Sequence, residues 1–162
     1  MPAGNTAVAT YPDVQENFND VAVSSFNTIT SSFAEQSPHV GDYEAAYDIW
    51  LNGVASNGSN EVMVWVDNYN QVPAGNVGGT TEISGVTWQV WTTDDHSYIA
   101  FVPAANITSG NVDLLAMFNY LINLGWISQS SVLDQVCFGF EICSTNGQDG
   151  TFTVSNFSLT AN

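Results

Sequence analysis

Short apolar or alternating runs recur along the chain at residues 8–14, 22–33, 43–51, 61–67, 82–92, 97–102, 134–143 and 150–160, separated by turn-forming clusters such as NGVASNGSN and STNGQDG. Alternation of this kind marks strands with one buried face, and closely spaced short strands predict an all-β, two-sheet sandwich. One segment departs from the pattern. In VDLLAMFNYLINL the apolar residues fall three to four apart, with Asn111 as a candidate cap and Gly125 as a stop, so the spacing predicts one α-helix over about 111–124 that packs on a sheet.

Strand parity then separates the faces, because residues two apart point the same way. In AAYDIWL, Tyr47, Ile49 and Leu51 point inward while Ala46, Asp48 and Trp50 point outward. In EVMVWVDN, Val62, Val64 and Val66 are inward and Glu61, Met63 and Trp65 outward. In CFGFEICSTNG, Phe138, Phe140 and Ile142 form the apolar face, leaving Cys137, Gly139, Glu141 and Cys143 opposite. Three acids thus sit inside strongly apolar strands and face away from the core. A carboxylate there costs several kcal/mol to bury unless it is partnered or faces a wet groove, which makes each a candidate for chemistry.

Charge narrows what can partner them. The chain has 162 residues, a length suited to a single domain over 1–162, and 10% of them are charged against roughly 25% in ordinary soluble domains. It has no Lys or Arg and a formal net charge of −16. That excludes phosphate-binding roles on nucleic acid or anionic membrane surfaces, since no cation is present to neutralise phosphate. It also denies Asp48, Glu61 and Glu141 any Lys or Arg partner, leaving hydroxyls, amides, backbone N–H groups, His, a metal ion or each other.

Two carboxyl groups beside aromatic platforms suit glycoside hydrolysis: one protonates the leaving oxygen while the other acts from the opposite side of the sugar. Five Trp, six Tyr and nine Phe supply apolar faces for sugar rings. Other chemistries have little support. The glycines of QVPAGNVGGT lack the lysine of a phosphate loop, no nucleophile-elbow serine occurs, and Asp94, Asp95 and His96 read as a solvated turn rather than a cation site. No cofactor and no metal is expected. Cys137 and Cys143, six apart in one strand, are too distant for a mutual disulfide.

The set AAYDIWL, NEVMVWVDN with its following QVPAG, TWQVW, and FGFEICSTNG before a final TFTVSNFSL strand resembles glycoside hydrolase family 12, in this order and over about residues 8–162. The resemblance implies a β-jelly-roll with a concave glycan cleft. It implies Glu61 as nucleophile, Glu141 as acid/base and Asp48 as an assistant to the nucleophile, in a retaining endo-β-1,4-glucanase or xyloglucanase. Met63 and Trp65, with Trp50, Asn60 and Pro73, are the implied substrate contacts, and QVPAGNVGGT the implied cord across the cleft. The partner would be a β-glucan polysaccharide met by a secreted monomer. The resemblance starts well inside the family pattern, so the chain is expected to lack the family's first strands and to expose strand edges through which copies can associate. No signal segment or membrane-length run is present in this sequence. A non-catalytic sandwich that binds glycan or self-assembles is the alternative.

Overall fold

The computed structural model describes residues 7–162. Among these described residues ten strands form two sheets: β1 Asp13–Ala22, β2 Ile29–Gln36, β3 Asp42–Leu51, β4 Asn60–Tyr69, β5 Asn76–Ile83, β6 Val86–Thr92, β7 Tyr98–Pro103, β8 Ser109–Asp113, β9 Val132–Ser144 and β10 Thr153–Ala161, with one α-helix, α1, at Leu114–Leu124 and a short 3-10 turn at Val23–Ser25. The larger sheet has the order β1-β9-β3-β4-β7-β6-β5 and the smaller the order β10-β2-β8. All pairings are antiparallel except β4 with β7.

The inner faces assigned by parity form the core. Tyr47, Ile49, Leu51, Val62, Val64, Val66, Phe138 and Phe140 are buried in one cluster with Ile29 and Phe33 of β2 and Val112 of β8. Aromatic contacts seal the smaller sheet onto the β9–β3 side, with Phe33 ring centroids 6.0 Å from Tyr47 and 5.3 Å from Phe138. The helix serves the other side through Leu114, Met117, Phe118 and Leu121, and Tyr120 stands edge-on to Phe101 of β7 at 6.2 Å.

Strand β1 fills 13–22, between the expected runs 8–14 and 22–33, and β2 begins only at Ile29; three further differences have a plain physical reason. The helix begins at Leu114, because Asn111–Asp113 are taken by β8, which pairs with Ser32–Thr30 of β2. Asp113 is the cap, its carboxylate accepting from the Ala116 N–H at 2.9 Å; Gly125 stops the helix as expected, in the left-handed conformation at φ 73°. The run 82–92 is two strands, turned at Ser84 and Gly85, both at positive φ, as two-residue hairpins require. Finally, the glycine-rich NVGGT is strand β5 rather than loop. A Cβ on Gly78 would lie 2.5 Å from the Trp126 ring, and one on Gly79 2.8 Å from the Tyr120 hydroxyl. These glycines make room for the helix-side aromatics.

The sheet edges are β1 and β5 in one layer and β10 and β8 in the other. β1 and β10 are largely exposed, and an apolar hollow lined by Pro12, Val14, Phe140, Phe152 and Val154 lies between them. Among the described residues no helix is long and apolar enough to cross a membrane.

Candidate active site

The outer face of the larger sheet gathers the acids. Strand β3 runs between β9 and β4, so its outward residues meet those of both neighbours: Asp48 pairs with Met63 on one side and Cys137 on the other, and Trp50 pairs with Glu61. Register thus brings together carboxylates that lie 80 residues apart. Oxygens of Asp48, Glu61 and Glu141 all fall within 4.8 Å of one another. In the parallel pairing with β7, Glu61 stands opposite Tyr98.

Electrostatics of this face follow from the missing cations. Burial pushes Asp48 up to about 7, reinforced by the charge on Glu141, while the Trp50 indole N–H, donating to Oδ2 at 3.1 Å, pulls the other way. Its Oδ1 has no partner. Glu61 is likewise pushed up to about 7, first by burial and then by Asp48 and Glu141. Carboxylates so close in a dry setting cannot all ionise, so the cluster retains protons where an ordinary surface acid has lost its own. The Tyr98 phenol is also driven up, by burial and by Glu61.

A hollow of about 530 Å³ opens beside the cluster, lined by Glu61, Trp50, Asn60, Tyr98, Asp95 and Ser97 among others. Asn60 is fixed from both sides, donating to the His96 carbonyl at 2.9 Å and accepting from Asn52 at 3.1 Å. Met63 and Trp65 lie on this same face, buried with Ala46 and Ala100 and packed by Trp91, Tyr98 and Val102; the Trp65 indole N–H points at the Met63 sulfur, 3.4 Å away. Pro73 is buried in the β4–β5 loop and does not line the hollow. Asp95 sits in a turn where hydrogen bonds, first from Ser97 and then from Thr93, hold it low, at about 2. Cys137 and Cys143 are both buried thiols, and burial pushes both up.

Several residues that sequence reasoning passed over belong to this face. Glu44 shares its parity with Asp48, and extending the alternation two residues further back would have found it; it pairs directly with Glu141. The Trp91 indole N–H is buried without a partner, and Trp91 alternates with the core residues Trp88 and Val90. Tyr11 donates to the Ala46 carbonyl at 3.2 Å, and its phenol is raised by burial, then by Asp48. No local signal marks Tyr11 or Tyr98, since register alone brings them here.

The sequence model of the family described as glycosyl hydrolase family 12 matches residues 1–162. Endoglucanase S of Pectobacterium parmentieri is 26% identical over 91% of the chain, which spans 65% of that relative's length. The xyloglucan-specific endo-beta-1,4-glucanase A of Emericella nidulans is 28% identical over 96% of the chain and is spanned to 68%. Among solved structures, endoglucanase cel12A from Rhodothermus marinus superposes with a TM-score of 0.87 at 26% identity, covering 99% of the chain and 78% of its own.

Proposed function

Because the chain belongs to glycosyl hydrolase family 12, we propose that its acidic face hydrolyses β-1,4-linked glucans internally and with retention, through a glycosyl-enzyme intermediate. The observation that carries this reading is the proximity of the Glu61 and Glu141 oxygens, within 4.8 Å. Retaining glycosidases hold their carboxyl groups about 5–5.5 Å apart, whereas inverting ones leave about 6.5–9.5 Å for a water. Glu61 attacks the anomeric carbon and its C–O bond forms as the glycosidic bond breaks; the Glu141 proton goes to the departing oxygen. In the second step Glu141 takes a proton from water, the hydroxyl adds to the anomeric carbon and Glu61 is released. Asp48, 8% exposed and half satisfied, tunes the charge that Glu61 carries.

Trp50 and Asn60 line the hollow beside Glu61 and are the proposed sugar contacts there. Met63 and Trp65, on the same face as Glu61, form a buried outer-face cluster that fixes the nucleophile strand and borders the sugar site. Xyloglucan and unbranched β-glucan are both candidate substrates, since the matched relatives carry endoglucanase and xyloglucan-specific names. Such polymers are too large to cross a membrane, so the reading places the enzyme outside the cell, as a monomer whose β1 and β10 edges are where copies would pair.

The test is release of reducing ends from barley β-glucan, carboxymethylcellulose, xyloglucan and xylan across pH 3–7. The reading expects cleavage of at least one β-1,4-glucan, with a rapid fall in viscosity. A folded chain that binds these polymers and cleaves none would replace it with a glycan-binding sandwich.

A further inference from the structure

Glu44 has no role in the double displacement just described, yet it is the most deeply buried acid on the outer face, 3% exposed. On β3 it stands directly opposite Glu141 of β9, so the two carboxyl groups are cross-strand neighbours on one face of the sheet. Its Oε2 is buried and has no partner. No Lys or Arg exists anywhere in the chain to balance a charge at this position.

We propose that Glu44 is a positioning residue for the acid/base step, a neutral carboxylic acid whose O–H donates to the Glu141 carboxylate and stabilises the anion that Glu141 becomes once it has protonated the leaving oxygen. This inference rests on the reading of Glu141 as the acid/base. Two carboxyl groups in contact share a proton, because both cannot ionise together, and the proton stays with the group that is harder to solvate. Glu44 is that group: burial, then the bond to Glu141 and its charge, push it up to about 10. A hydrogen bond from a neutral acid to a carboxylate is among the stronger ones a protein makes.

The surroundings act in the same direction. On β3 Asp48 and Asp42 are acidic, β9 adds Cys143, β4 adds Glu61 and β7 adds Tyr98. Tyr11 approaches Glu141 from the segment before β1. All of these are neutral or negative when they titrate, so none supplies the positive charge that would ionise Glu44. Through the cycle the Glu44 O–H bond stays intact. In glycosylation the Glu141 O–H breaks and its proton leaves on the glycosidic oxygen; in deglycosylation Glu141 regains a proton from water, and Glu44 donates throughout the interval when Glu141 is charged.

Side-chain carboxyl carbon NMR, titrated over pH 3–9 in wild type, Glu44→Gln and Glu44→Met, tests this directly. Wild type should show Glu44 unionised through pH 8. Glu44→Gln keeps a donor and should leave the Glu141 midpoint within about half a unit, whereas Glu44→Met, of similar shape without a donor, should raise it by about one to two units. A Glu44 resonance that titrates near pH 4.5 in wild type, or a Glu141 midpoint that falls in Glu44→Gln, overturns the proposal, because either means that Glu44 carries charge. So does an unchanged midpoint in Glu44→Met. Should the Met variant not fold, the wild-type and Gln titrations decide alone. The titration needs no turnover, so a chain that cleaves no glucan would defeat the functional reading while leaving this proton arrangement open to confirmation or refutation.

Discussion

Two buried acidic regions of this molecule solve the same problem in opposite ways. Asp67, whose side chain is fully buried, accepts from the Ser37 hydroxyl at 2.6 Å, the Tyr43 hydroxyl at 3.2 Å, the Asn68 N–H at 2.8 Å and the Asn106 amide. On the outer face, Asp48 accepts one indole N–H and Glu44 has one oxygen orphaned. Four hydrogen-bond donors, with the His39 Nε2 3.8 Å from Oδ2, surround the Asp67 carboxylate. The outer face has too few donors, and its carboxyl groups keep protons instead. The lesson is that in a chain without Lys or Arg, donor count separates Asp67 from the acids of the outer face.

Matched substitutions break the comparison most sharply. If Glu61 is the nucleophile proposed above, Glu61→Gln should lower glucan hydrolysis by about 10⁴-fold or more and leave the fold intact. The same carboxylate-to-amide change at Asp67 should leave activity per folded molecule near wild type while costing about 1–3 kcal/mol of stability, because an amide replaces an acceptor-only group among four donors. Denaturant melts paired with initial rates read both outcomes. Glu141→Gln comes next, with a loss of about 10²–10⁴-fold on polymers and a smaller one on aryl glycosides, whose leaving group needs no protonation; equal losses on both would contradict the acid role.

Stability against pH is the subtler probe. Asp48 and Glu61 are raised from 3.8 and 4.5 to about 7, and Glu44 from 4.5 to about 10. The folded state therefore binds more protons than the unfolded chain between those limits, and its stability falls as pH rises. These groups contribute fully only below about pH 4. Their contribution is lost through pH 7 for the first two and onward to pH 10 for Glu44. The melting temperature should decline from pH 5 to pH 8. Glu35, also pushed up to about 7 by burial and by Asp67, adds to the same slope, so the share of the outer face is what Asp48→Asn with Glu44→Gln removes. A slope unchanged in that double variant would refute the assignment.

Much of this was legible from alternation alone. The parity of AAYDIWL, EVMVWVDN and CFGFEICSTNG assigned the core residues Tyr47, Val64 and Phe138 and the outward acids to their observed faces. Parity does not give register, so the pairing of Trp50 with Glu61, and of Glu61 with Tyr98, became visible only in the fold. The β3–β4 bulge between Ala45 and Ala46 also escapes sequence. It turns Asp67 inward to Tyr43, although simple alternation from Glu61 would have left it outward. Strand β1, DVQENFNDVA, is a polar edge that carries no apolar period, and β5 was hidden because glycines there answer to Trp126 and Tyr120 rather than to a turn.

The central claim, that Glu61 and Glu141 work as nucleophile and acid/base of a retaining glycosidase, is tested most directly by proton NMR of the anomeric signals during early hydrolysis of a soluble cello-oligosaccharide. The account predicts that the β-anomer appears first and the α-anomer only as mutarotation proceeds. First appearance of the α-anomer would show inversion by a single displacement and contradict it.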